Sequence, residues 1–259
     1  MIIPTLHRDP RALDTVAHRD LRLRNELSAI HLLAPTAAMM ITLNEFAEAS
    51  HDFPILFMPA GNDENGKPQV MPVIAMGLQR NENLFVKDSK WDDVYLPAIV
   101  RVYPFTMARV EDSDNWVTIF DNAWEGMSRT EGQPLFDAQG APTELLTNIH
   151  GHVQRLESDF ERTRQACAVL MEHQLLKPMR FDAKSAGGES LTVDGFLAID
   201  EEAVPKLSDA QIATLYRNGL LHMLTAHHLS MSNMRRLADR HFAKRAAEAT
   251  GTAANSPLN

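Results

Sequence analysis

The sequence predicts an α+β fold in which a mostly antiparallel sheet packs with a long helix and C-terminal helices. Three observations predict it. Short apolar, strand-like runs crowd residues 30–125, a seven-residue apolar repeat runs through 143–176, and an alternating apolar segment returns at 190–199. Because strands come back after the long helix, the sheet is expected to draw on residues 30–125 and 179–200 within one intertwined domain, 1–247. Residues 248–259 have little to bury and are expected to form a flexible tail.

Taken in order, residues 1–40 carry weak signals. "TLNEF" has the form of a capping box, Thr42 with Glu45, and opens a short helix over about 43–51 that stops before the "FP" at 53–54. "PILFM" (54–58) and "VIAMGL" (73–78) flank the turn-rich "GNDENGKP", a hairpin with a long loop. "NLFV" (83–86), "TMARV" (106–110) and "WVTIF" (116–120) continue the strand series. Between them, "WDDVYLPAIVRVYPF" reads as a short helix interrupted or started at Pro97 and stopped before Pro104, with Asp92 and Asp93 as capping residues.

Residues 143–176 hold the strongest periodicity. Leu146, Ile149, Val153, Leu156, Phe160, Thr163, Cys167, Leu170 and Gln174 alternate in steps of three and four, with mostly polar residues between. Thr143 is the expected N-cap and Pro178 the expected stop, so an unbroken helix would be ~50 Å long at ~1.5 Å per residue. Each large apolar side chain on the seam stabilises by ~1.5–3 kcal/mol when fully buried. Such a helix either forms the spine of the fold or projects to meet a partner; the short loops on both sides favour the spine. Next, "ESLTVDGFLAID" puts Leu191, Val193, Leu197 and Ile199 on one strand face, paired through the "SAGGE" turn with "MRF". Ser208 and Gln211 form a second capping box, Asn218-Gly219 a stop, and a last helix is expected over 220–247.

That last helix carries His222, His227 and His228. Two side chains on one helix grip a metal when they lie three or four residues apart; these histidines offer spacings of five, six and one. Five residues advance the helix ~140° past a full turn, so this helix alone makes no metal site. Leu220, Leu224, His227 or His228, Met231, Met234 and Ala238 keep core spacing instead, and the stretch reads as buried helix. His227 or His228 could still meet a ligand from another segment, such as His18, Asp121 or Glu125.

The net charge of −9 disfavours general nucleic-acid binding, which needs a positive surface to displace counterions. The basic clusters at Arg19, Arg22 and Arg24 and at Arg235, Arg236, Arg240, Lys244 and Arg245 read as solvated faces. One cysteine, Cys167, excludes an internal disulfide and a cysteine-rich zinc site. No G-x-S-x-G, G-x-G-x-x-G, Walker loop or H-E-x-x-H is present, so no cofactor, no metal and no catalytic residue is assigned. "DAQG" at 137–140 lacks the downstream oxygens of a calcium loop and reads as a turn. No run reaches the ~18 apolar residues of a membrane span and no signal-peptide core opens the sequence, so a soluble cytoplasmic protein is expected.

The candidate ligand-binding residues are Trp91, Tyr95, Arg101 and Tyr103, with His18 and Arg19 as residues that could close the same cleft. They lie in or beside the markers "HRDLRL" (18–23) and "YLPAIVRVYPF" (95–105). With "FPILF" (53–57), "NLFV", "PLFDAQGAP" (134–142), "DGFLAIDEEAVPKLSD" (194–209) and "AHHLSMSNMRRL" (226–237), these markers, in order and spacing, resemble the SapC family of bacterial proteins over nearly the whole chain. The resemblance implies an accessory protein tied to surface-layer export, nutrient uptake or modification of a peptide or aromatic compound. It brings no established catalytic residues. The expectation is therefore a non-catalytic binding or accessory protein with a protein or peptide partner. The alternative is an enzyme or cofactor-dependent modifier of a small peptide or aromatic substrate.

Overall fold

The computed structural model describes residues 2–24, 27–109 and 116–254, the last four by backbone alone. Its first half runs β1 (Pro10–Ala12), β2 (Arg22–Leu23), β3 (Ala38–Met40), α1 (Phe46–Asp52), β4 (Ile55–Asn62), β5 (Pro68–Ala75), β6 (Val86–Lys87), β7 (Lys90–Trp91), α2 (Ala98–Arg101), β8 (Phe105–Arg109) and β9 (Trp116–Asp121). Then come β10 (Met127–Ser128), β11 (Gln133–Pro134), α3 (Glu144–Glu172), β12 (Leu176–Lys184), β13 (Ser190–Ile199), α4 (Asp209–Arg217), α5 (Leu220–Ser230) and α6 (Asn233–Ala254).

The strands make a five-stranded antiparallel sheet in the order β12-β13-β4-β5-β3 and a three-stranded one, β1-β9-β8. Two smaller pieces, β10-β2-β11 and β6-β7, complete the pairing. The β4–β5 hairpin pairs Ile55 with Ile74 and Met58 with Met71. At its turn Asp63 Oδ1 accepts from the amides of Asn65 and Lys67 at 2.9 and 2.8 Å. β8 and β9 realise "TMARV" and "WVTIF", apart from Val110, which lies outside the described residues. The late hairpin joins the early sheet where Leu197 pairs with Phe57, so the α+β architecture is the expected one.

α3 is the spine. Thr143 accepts from the Leu146 amide at its N-terminus, and Leu146, Val153, Leu156, Phe160, Thr163, Cys167 and Leu170 are all buried. The seam packs on β5, β8 and the 3₁₀ turn Leu43–Glu45, which makes the helix intramolecular. Its polar seam residue is satisfied: Thr163 Oγ1 donates to the Asp159 carbonyl at 2.6 Å and accepts from the Leu43 amide at 3.0 Å.

Five local expectations are corrected. The long helix ends at Glu172, not beside Pro178: Gln174 turns the chain at φ 54° and Leu176 already pairs with Ile199. Pro178 sits instead in β12, an edge strand, where a missing ladder donor is tolerated. Leu191, Val193, Leu197 and Ile199 do not share one face, because the register slips by one residue at Gly195 (φ 81°). Beyond this bulge Phe196 and Ala198, both buried, take over the inward positions.

In "NLFV" only Val86 is strand, since Asn83 Oδ1 takes the Phe85 amide at 2.9 Å while its Nδ2 donates to the Leu33 carbonyl at 3.0 Å. The last helix is two helices, broken at Met231–Ser232, and the second continues to Ala254, so the expected tail is helical at its start. Asp92 and Asp93 do not cap α2, which begins at Ala98; Asp92 pairs with Arg240 of α6.

Candidate functional site

The segment between α1 and β8 is organised by one buried carboxylate. Glu45, 5% exposed, accepts from the Thr42 amide at 2.8 Å and the Thr42 hydroxyl at 3.0 Å through Oε2. Through Oε1 it accepts from the Tyr95 hydroxyl at 2.9 Å and the Ala98 amide at 2.8 Å. The capping box is thus present, and its carboxylate also caps α2 from across the fold. Asp52, at the end of α1, accepts from the Tyr95 amide at 2.8 Å and holds the same segment from the other side. Burial and the Glu45 carboxylate push the Tyr95 phenol well above its ordinary value, so it stays a neutral donor.

Arg101 projects from the last turn of α2. Its Nη2 donates to the Tyr95 oxygen at 3.1 Å, and its guanidinium stands 5.6 Å from the Tyr95 ring centroid. Two residues on, Tyr103 turns inward and donates to Asp121 Oδ2 at 2.6 Å. Asp121 is fully buried and accepts further from the amides of Asp9 and Ala123 at 2.9 and 3.1 Å. Burial alone would raise its carboxyl; the Tyr103 hydroxyl and the backbone amides of Asp9, Ala123 and Arg8 outweigh that and hold it below the usual carboxylate range. Burial and Asp121 in turn push the Tyr103 phenol up.

Beyond Tyr103 lies a cavity of about 450 Å³, within the range of small-molecule sites. Val100, Phe105, Trp124 and Val153 supply buried apolar walls; Arg101 and His152 are its exposed basic members, and no carboxylate lines it among the described residues. Trp124 is 5% exposed and stands edge-on to Tyr103 at 5.7 Å between ring centroids. It fits because residue 126 is glycine: a Cβ there would lie 2.1 Å from the indole ring. The indole N–H is buried without an acceptor among the described residues, which costs about 1–3 kcal/mol if nothing enters to satisfy it.

Of the six residues proposed from sequence, Arg101 and Tyr103 meet on this cavity and Tyr95 braces Arg101 from behind. Trp91 stands in a different aromatic group with Phe53 and Phe85, its indole donating to the Val94 carbonyl at 3.2 Å. His18 lies edge-on to Phe120 at 5.0 Å, and Arg19 donates to the Ala138 carbonyl beside a separate open depression. Sequence reasoning passed over Glu45 as a hub, and missed Trp124 and His152; the W-x-G spacing of Trp124 and Gly126 was the one legible hint.

The histidine-bearing helix has another role. His227 is 2% exposed beside Phe57, neither ring nitrogen has a hydrogen-bond partner among the described residues, and burial lowers its pKa to about 4. His222 is exposed, and His228 meets Glu201 rather than His18, Asp121 or Glu125. Among the described residues no group of side chains is arranged to hold a metal ion. Ser230 and Asn233 at the break between α5 and α6 instead anchor α1 and β4. Ser230 accepts from the Ile55 amide at 3.1 Å, and Asn233 donates to the carbonyls of Ser50 and Phe53 at 2.8 and 3.1 Å.

Farther along α6, His241 bonds Glu82 at 2.9 Å in a buried pair. A second cavity of about 510 Å³ runs between α1, α3 and α5, but its charged members Asp159 and Arg162 are paired with each other. Cys167 borders a third, and burial pushes its thiol up to about 12, outside nucleophilic use near neutral pH. Asp137 closes the "DAQG" turn by accepting from the amides of Gln139 and Ala141, both at 2.9 Å. Among the described residues no helix is long and apolar enough to cross a membrane.

The SapC family model matches residues 13–237, from before β2 into α6. The chain belongs to the SapC family. The match takes in both halves of the five-stranded sheet, the Glu45 hub, the Arg101 cleft and the Ser230–Asn233 anchor of this SapC protein. No curated protein and no solved structure matches the chain.

Proposed function

We propose that this SapC-family chain is a non-catalytic accessory protein that binds a small ligand, or a side chain of a peptide partner, in the Arg101–Tyr103 cleft. It would act in the cytoplasm, in service of a surface-layer, nutrient-uptake or peptide-modification system, the settings that the family resemblance implies. The observation that carries the reading is the cleft itself: apolar walls, an exposed guanidinium and a buried indole N–H without an acceptor among the described residues. The neighbouring acids support a non-catalytic role, because Glu45 and Asp121 spend their oxygens on scaffold donors. Both nearby phenols are also held protonated, which keeps Tyr95 and Tyr103 as hydrogen-bond donors rather than bases.

The test is native mass spectrometry of the full chain isolated from its host cell, beside Arg101→Ala. A bound small molecule or peptide that accompanies the wild type and is lost from the variant supports the reading. A bare wild-type chain, or a passenger held equally by the variant, refutes it; recovery of a supplied ligand in chemically altered form refutes the non-catalytic part.

A further inference from the structure

We infer that the cleft selects a small amphipathic monocarboxylate, its apolar body against Phe105, Trp124 and Val153 and its carboxylate on Arg101. This rests on the reading of the cleft as a ligand site and adds the chemical class of the ligand. The lining is electrically one-sided: a permanent cation and an imidazole, with no acid among the described residues. Several arginines of the described chain are paired with carboxylates, Arg24 with Glu131, Arg129 with Asp20 and Arg240 with Asp92, and others, Arg19, Arg22 and Arg236, bond backbone carbonyls. Arg101 has only a phenol oxygen and a ring face as partners among the described residues. One of its N–H groups is committed to Tyr95, which leaves the remaining donors for an incoming anion.

A planar carboxylate matches such a fork in two-pronged fashion, whereas a cation would meet like charge and a neutral head would forgo the ion pair and the second prong. The walls demand the other half of the ligand. Phe105 and Val153 are 2% and 1% exposed, so on that side an apolar body fills the space without stranding polar groups. The Trp124 N–H is a buried donor of that lining without a partner among the described residues, and a ligand oxygen would supply one.

The experiment titrates the full chain with phenylbutyrate, phenylbutylamine and phenylbutanol, which share one body and differ in the head group. Binding is read by calorimetry and by amide and indole N–H resonances in NMR. Phenylbutyrate is expected to bind most tightly and to shift the Trp124 indole resonance. Arg101→Gln is expected to weaken the acid about tenfold while leaving the alcohol unchanged, in line with the loss of a charge-assisted bond. Ile149→Trp, which fills the cavity from a half-buried position on α3, is expected to block all three probes. If the amine or the alcohol binds as tightly as the acid, the inference fails while the cleft stands as a ligand site. If no probe shifts the cleft resonances, the inference fails and the cleft reading loses its support with it.

Discussion

The segment around Arg101 and the helices around His227 both look like sites when read as sequence, and the fold treats them in opposite ways. Between α5 and α6 the polar side chains are spent inward: Ser230 and Asn233 terminate α1 and start β4, and His241 closes on Glu82. Around α2 the carboxylates are equally spent, but Arg101 and the Trp124 indole keep bonding capacity beside an apolar cavity. Residue type does not separate scaffold from site. What separates them is whether a group left without a partner borders a cavity: the ring nitrogens of His227 are also unpartnered among the described residues, but that side chain is buried against Phe57.

Four measurements bear on that contrast. The largest effect is expected from Glu45→Ala, which strands the amides of Thr42 and Ala98 and the Tyr95 hydroxyl. A loss of about 4 kcal/mol in urea unfolding is expected, and a loss under 1 kcal/mol would show that Glu45 is not the hub of the α2 segment.

The second concerns acid. His227 titrates near 4 when folded, below the ordinary imidazole value of about 6.5, so the unfolded chain binds more protons between those pH values. Stability is therefore full above about pH 6.5 and falls as the pH drops towards 4, by about 3 kcal/mol from this group. His227→Leu should flatten that limb of the stability-versus-pH curve. An unchanged limb would place the acid sensitivity elsewhere.

Third, Asn233→Ala leaves the Ser50 and Phe53 carbonyls without their donor and should cost about 2 kcal/mol. The same scan tests the proposal that residues 1–247 form one cooperative unit: a single transition seen equally by Trp fluorescence and far-UV circular dichroism is expected, and two separated transitions would break it. The smallest effect should come from Arg101→Ala, an exposed site whose loss should change stability by less than about 0.5 kcal/mol. A large stability loss there would move Arg101 to the scaffold side of the comparison.

Much of the architecture was legible locally. The seam of α3, both capping boxes, the β4–β5 hairpin and the core spacing of α5 all follow from residues within one or two turns or strands of each other. The errors were local as well. The stop at Pro178 was misread because proline is at home on an edge strand too, and the face of β13 because one bulge at Gly195 inverts the alternation. "NLFV" failed as a strand because a side-chain amide captured the backbone first. The candidate site was half legible: Arg101 and Tyr103 share a cavity, whereas Trp91, His18 and Arg19 lie in other surroundings.

By itself, the sequence determined the class of fold, the long spine and the inward-facing stripes of α3 and α5, because periodicity is a property of neighbours along the chain. Tertiary structure alone decided which polar groups are used up. Glu45 finds Tyr95 and Ala98, Tyr103 finds Asp121, and Asn233 finds Ser50 across separations that no local pattern records. A hydrogen bond depends on distance and angle in space, so the open valences of the Arg101 cleft exist only once the chain has closed around them.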